Sequence, residues 1–270
     1  MMPVTVGSVK LRKPKRGVLA WLAPAVMLLF WILISGGCES DLEELESSNA
    51  CVWCRLKGAD LRQADLSGAS LWMSYMEQAQ LEGANLTEAN LNRVKFNEAN
   101  LKKADLSKAE TRKAVFDSAN LTEAKLFETD MSEAFLRGAQ LQKARLDGAK
   151  LLLAIAHRAD FSRASLKNAN LEQAKGTDSV FFEADLSGAR MRWSVLQRAD
   201  LRGANLTGAD LYSADLAGAD LTGTKLEGAN LEGANFTNAT WIDGTSCITR
   251  SCDGKAYSNL QLPRGIRSEM

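Results

Sequence analysis

From Leu56 to Trp241 the chain repeats every five residues without a break, and few folds can accommodate that period. Stepping by five from Leu56 gives 38 consecutive positions, of which 26 are Leu and all but Thr111, Ala156 and Gly176 are Leu, Met, Phe or Trp. Two residues before each stands a small side chain, Ala in 31 of the 38 cases and otherwise Cys, Ser, Thr or Val94. A period of five fits neither the about 3.6 residues of a helical turn nor the alternation of an extended strand. One large and one small apolar residue per unit, at fixed spacing, signals a repeat architecture instead of a globular core.

Stretches such as GADLRQADLSGASL from Gly58 and GANLTGADLYSADLAGADLTGTKLEGANLEGANF from Gly203 resemble the pentapeptide repeat family, whose units run A(D/N)LxX. The resemblance implies an all-β solenoid: a right-handed quadrilateral β-helix of four pentapeptides per coil, about 9.5 coils in all. The central Leu and the Ala two before it then point inward, and Asp or Asn just before the centre (Asp60, Asp65, Asn85, Asp200, Asn205) suits tight turns. Open ends of such a stack are unpaired edges and need caps. Cys51-Val-Trp-Cys54, and Ala239-Thr-Trp-Ile-Asp-Gly244 followed by two Cys, resemble end segments of exported bacterial members.

The first 50 residues are different material. Lys10, Arg12, Lys13, Lys15 and Arg16 form a basic stretch, and an apolar run from Val18 to Ser35 follows, interrupted by Pro24. Basic-then-apolar orders the chain by the positive-inside rule, with residues 1–17 cytoplasmic and everything after the run across the membrane. Residues 18–37 read as a transmembrane helix or a lipoprotein signal. The second reading comes from Ile34-Ser35-Gly36-Gly37-Cys38, which makes Cys38 a candidate lipidation site. In either form the rod is anchored in the bacterial cell envelope, on the extracytoplasmic side. Residues 38–50, acidic through Asp41, Glu43, Glu44 and Glu46, read as a solvated linker; 51–241 are the β-helix and 242–270 a C-terminal cap and tail.

Five Cys are present. Cys51, Cys54, Cys247 and Cys252 do not form one zinc site, because about 9.5 coils at ~4.8 Å per stacked strand separate the two pairs by roughly 45 Å, against zinc–sulfur bonds of ~2.3 Å. Two local disulfides, one at each end of the rod, suit an oxidising compartment. A thiol-exchange role for Cys51 and Cys54 is the alternative.

Twenty residues per coil sorts the inward residues into four faces. One, from Leu66 to Leu226, is entirely Leu. Another runs Leu56, Met76, Phe96, Phe116, Leu136, Ala156, Gly176, Leu196, Leu216, Phe236. Where Ala156 and Gly176 leave space, the next face carries Phe161 and Phe181, as close packing demands. Outward residues are uneven too. One longitudinal edge collects Trp72, Met73, Tyr75, Val115, Phe135, Leu152, Leu153, Ile155, Trp193, Val195 and Tyr212, with Arg93, Lys95, Arg112, Lys113, Lys175 and Arg192 interspersed. A contiguous apolar patch marks an interaction site. Its occupant is a protein partner, a second copy, or the C-terminal tail.

No nucleophile–base set, acid/base cleft or phosphate loop stands out from the repeat, so the chain reads as a non-enzymatic scaffold or interaction protein without cofactor or metal. The lone His157 reads as a solvated surface residue. The resemblance also raises imitation of duplex DNA toward topoisomerases. That needs a strongly acidic cytoplasmic rod, whereas residues 56–241 hold 23 Lys and Arg against 25 Asp and Glu, and no nucleic acid partner is expected.

Overall fold

The computed structural model describes residues 38–252; the basic N-terminus, the apolar 18–37 segment and the tail from 253 lie outside it. Among the described residues no helix is long and apolar enough to cross a membrane. The repeat region is a solenoid whose bridges join each unit to the residue twenty further on, from Ala50↔Ser70 to Asp220↔Thr240, all parallel. Four pentapeptides therefore make each coil. No extended strand forms, because pairing is limited to one bridge per unit before the chain turns.

The backbone of one unit accounts for itself amide by amide. The central Leu61 N–H donates to Gln80 O at 2.7 Å, and Gln63 N–H to Glu82 O at 3.0 Å, both in the next coil. Gln80 N–H returns a bond to Ala59 O at 2.8 Å, and Ala64 N–H closes the turn onto Leu61 O at 3.1 Å. That leaves one amide in five, the one directly after the central residue. Where Asp or Asn stands just before the centre, it serves that amide: Ser67 N–H donates to Asp65 Oδ1 at 3.2 Å, Thr87 N–H to Asn85 Oδ1 at 3.1 Å, Tyr212 N–H to Asp210 Oδ1 at 3.1 Å. In other units a side chain one coil back does so, as Asn92 Oδ1 does for Arg112 N–H at 2.8 Å. The A(D/N)L signature is thus an accounting of backbone donors. The second residue after each centre from Leu56 to Phe236 sits at positive φ, as Gln63 (φ 59) and Lys103 (φ 59) do.

The core is a column of buried Leu and Ala running the length of the rod. Inward Ser and Thr each donate to a backbone carbonyl: Ser74 Oγ to Cys51 O at 2.6 Å, Thr129 Oγ1 to Leu106 O at 2.8 Å, Thr224 Oγ1 to Leu201 O at 2.8 Å. Residues one coil apart stack on their own kind. Phe161 and Phe181 lie parallel with ring centroids 4.8 Å apart, and Phe96 and Phe116 at 5.1 Å. At Gly176 the space is also taken by neighbours: an added Cβ would lie 2.9 Å from Ser179 Oγ and 3.1 Å from Leu196 Cδ2. The space beside Gly176 is therefore filled by Ser179 and Leu196, while Phe161 and Phe181 stack on each other on the next face.

Both ends are closed. The segment expected as a solvated linker is instead helix α1, Cys38–Ser48. It forms because Leu45, fully buried, and Leu42 cover the first coil, while the acidic residues between them face water. Asp41 fixes it by accepting Arg55 N–H at 2.7 Å. Sequence pattern alone missed this helix because it has only two apolar anchors. Beneath it Cys51 and Cys54 are disulfide-bonded and buried. At the other end the chain doubles back: Trp241 N–H donates to Thr245 O at 2.7 Å, Asn238 N–H to Cys247 O at 2.9 Å and Phe236 N–H to Arg250 O at 2.8 Å. These bonds use the donors that a further coil would have taken. Trp241, buried, packs edge-on against Phe236 with centroids 5.2 Å apart, and Cys247–Cys252 closes the loop.

Replacing Phe161 with Leu is expected to lower stability by about 1–3 kcal/mol through a cavity and a lost ring stack. An unchanged denaturant midpoint would contradict this packing.

Candidate interaction edge

The outward residues fall on four longitudinal edges, and one differs from the rest. Among the described residues six large hydrophobic side chains are exposed: Val52, Trp53, Trp72, Leu153, Trp193 and Ile248. The first five lie on the single edge that carries Trp72, Met73 and Tyr75. The others expected there (Met73, Tyr75, Val115, Phe135, Leu152, Ile155, Val195, Tyr212) are half-buried along the same line. Val52 and Trp53 extend it by one coil. The repeat count from Leu56 left them out, although Trp53 stands twenty residues before Met73 and its ring meets Trp72 edge-on at 6.0 Å.

Three features show that this edge is not what the fold itself would choose. The position that supplies the amide acceptor elsewhere holds Tyr75, Lys95, Val115, Phe135, Ile155, Lys175 and Val195 in seven successive coils, with Asp and Asn returning only at Asp215 and Asn235. Val115, Phe135 and Ile155 form a continuous apolar ladder in it. Second, Trp53 (φ 65), Met73 (φ 59), Leu153 (φ 59) and Trp193 (φ 54) occupy the left-handed turn position, where bulky side chains are rare. Third, Arg192 Nε is buried without a hydrogen-bond partner. Its guanidinium lies 4.9 Å from the Trp193 ring and 4.8 Å from that of Tyr212, which themselves meet edge-on at 6.0 Å. An unpaired buried donor costs about 1–3 kcal/mol, offset here by two cation–π contacts.

The cations on this edge are also mostly unspent. Lys113 pairs with Glu133 at 3.1 Å and Arg192 with Asp210 at 3.5 Å. Arg55, Arg93, Lys95, Arg112 and Lys175 make no salt bridge among the described residues, although Lys95 lies 4.7 Å over the Tyr75 ring. Elsewhere pairs are more frequent, as with Arg198 and Asp178 at 2.7 Å and Arg163 and Glu183 at 2.8 Å, although Lys57, Lys102, Lys108, Lys143, Arg158 and Lys225 likewise make no salt bridge among the described residues.

Other clusters offer less chemistry. Glu44 lies close to the sulfurs of Cys51 and Cys54, but both thiols are consumed in the disulfide and both residues are buried, which leaves no ligand thiolate and no accessible exchange partner. His157 is half-buried instead of fully solvated, in an open groove of about 450 Å³ with Arg137, Gly138, Arg158, Thr177 and Asp178. Burial, and then the charges of Arg137 and Lys175, hold its imidazole below the usual pKa, so it is neutral at pH 7.

Comparison with known proteins agrees with this architecture. The model of the family described as pentapeptide repeats matches in eight copies over residues 51–83, 74–110, 112–151, 159–198, 184–223 and 214–240. The chain belongs to the pentapeptide repeat family. The right-handed quadrilateral β-helix is that family's fold. Among solved structures it is similar to HetL, a pentapeptide repeat protein involved in heterocyst differentiation regulation from the cyanobacterium Nostoc sp. strain PCC 7120. That match has 29% identity and covers 76% of this chain and 96% of HetL, with a TM-score of 0.44. It shares the fold of QnrB1, a plasmid-mediated fluoroquinolone resistance protein, at 19% identity, covering 67% of this chain and 88% of that one, with a TM-score of 0.52. A pentapeptide repeat protein of the Arabidopsis thaliana thylakoid lumen matches at 36% identity over 40% of this chain and 72% of its own, with a TM-score of 0.32. No curated protein sequence matches this one.

Because the turn position accepts Gly in many other units, Leu153→Gly should leave folding stability within about 1 kcal/mol, relief of left-handed strain offsetting the added backbone entropy. A loss well above that in chemical denaturation would mean that Leu153 serves the fold.

Proposed function

We propose that this chain is a non-enzymatic, membrane-anchored rod of the bacterial cell envelope that acts as a scaffold, with the Trp72 edge as its binding face. The observation that carries the reading is the gathering of five of the six exposed large hydrophobics on one edge of a rod. Aromatic residues with Arg are what the centres of binding surfaces favour. Among the described residues, the pockets beside His157 and beside Arg250 are open grooves and not the enclosed clefts that substrates favour. The near-neutral rod argues against imitation of DNA, which depends on dense negative charge.

The anchor rests on the sequence before residue 38: a basic stretch, then the apolar run from Val18 to Ser35. Whether that run is retained or ends in a lipidated Cys38 is decided by mass spectrometry of the mature N-terminus. An intact N-terminus with the apolar run supports the helix, and a diacylglyceryl-modified Cys38 supports the lipoprotein. A soluble product cleaved after residue 37 without lipid would remove the anchor from the proposal.

The binding face is tested by photo-crosslinking in native membranes. A benzoylphenylalanine at Leu153 or Trp72 is expected to give discrete adducts, while the same probe at Lys108 or Lys167 on the neighbouring edge gives few. Equal yields from both edges would sink the assignment.

A further inference from the structure

We infer that the occupant of the Trp72 edge is an anionic phospholipid surface, against which the tethered rod lies lengthwise. This names the partner of the binding face proposed above and rests on that reading.

The distribution of the anchors argues for a surface over a folded partner. From Trp53 to Trp193 the edge spans seven coils, roughly 34 Å at ~4.8 Å per coil. Its exposed apolar groups are strung out along that line: Val52, Trp53 and Trp72 at one end, Leu153 beyond the middle, Trp193 further on. Protein interfaces concentrate their binding energy near the centre of a patch and enclose it in a pocket-bearing partner. A bilayer interface asks for no pockets. It accepts an apolar tip anywhere along its plane, so anchors in single file on a straight edge suffice.

The chemistry agrees. Trp and Tyr have amphipathic rings that settle at headgroup level, and Lys and Arg reach from apolar stems to phosphate. Here the two kinds alternate. Arg93, Lys95 and Arg112 lie between the Trp72 and Leu153 anchors, Lys175 lies between Leu153 and Trp193, and none of these four has a salt-bridge partner among the described residues. A cation left unpaired beside an exposed apolar tip is complementary to a negatively charged headgroup layer.

The chain outside the described residues ends in the right place. The apolar 18–37 segment leads directly into helix α1, which packs on the first coil. Eleven residues of helix span only ~16 Å. A membrane holding that segment would therefore lie close to the end of the rod where Trp53 and Trp72 project. A rod tethered at one end needs only to tilt to bring the whole edge down.

The test uses the full-length protein carrying Trp21→Phe and Trp31→Phe, so that emission comes from Trp53, Trp72, Trp193 and the buried Trp241. It is reconstituted in phosphatidylcholine vesicles with or without about one third phosphatidylglycerol, each containing a lipid brominated near the headgroup. With phosphatidylglycerol present, quenching of about half the emission is expected, falling at least two-fold in pure phosphatidylcholine or in the Lys95→Glu/Arg112→Glu variant. Emission unquenched by either membrane overturns the proposal. If the crosslinks from Leu153 are then to protein, whether another chain or a second copy, the binding face stands and only the lipid assignment falls. Neither crosslinks nor quenching would remove both.

Discussion

Everything in this molecule depends on the backbone ladder that ties each residue to the one twenty positions on. Four of the five amides in a unit are committed to that ladder or to the turn that closes the unit. The bonds fix the spacing of coils and the width of the column between them. Once that width is set, one Leu-sized and one Ala-sized side chain fill each corner, and departures must be compensated within a coil or two. The Phe161–Phe181 stack and the filling of Gly176 by Ser179 and Leu196 are such compensations. The inward hydroxyls of Ser74, Thr129 and Thr224 are accommodated because carbonyls lie within reach of every corner.

The solenoid was legible because the constraint acts identically in every unit, so the central residue, its small partner and the Asx acceptor recur at fixed spacing. What sequence periodicity could not supply was the ends, where the rule stops. Helix α1 has no repeat and only Leu42 and Leu45 to mark a buried face, so its acidic composition read as linker. Similarly the first member of the aromatic edge, Trp53, lies before the first counted Leu and became visible as part of the edge only through its ring contact with Trp72. Asp and Asn were legible as turn residues that bond nearby backbone, and their oxygens do so by satisfying the amide that the ladder leaves over.

The candidate binding face was legible for the same reason in reverse. Against a regular background, an edge that abandons Asp and Asn for seven coils and places Trp and Leu in left-handed turns stands out. Each of those choices forgoes something the fold would use. Their restriction to one edge, together with unpaired cations, gives the rod a front and a back.

The capped ends carry a consequence for assembly. In a stack where each coil touches only its neighbours, growth and fraying both begin at the last coil. Here the first coil is lidded by α1, and in the last the amides of Phe236, Asn238 and Trp241 are occupied by the returning segment from Thr245 to Arg250. On that side of the last coil the donors another rod would need are already taken. Addition of one rod to the end of another is opposed there, and the length of each bar is written in its own coil number.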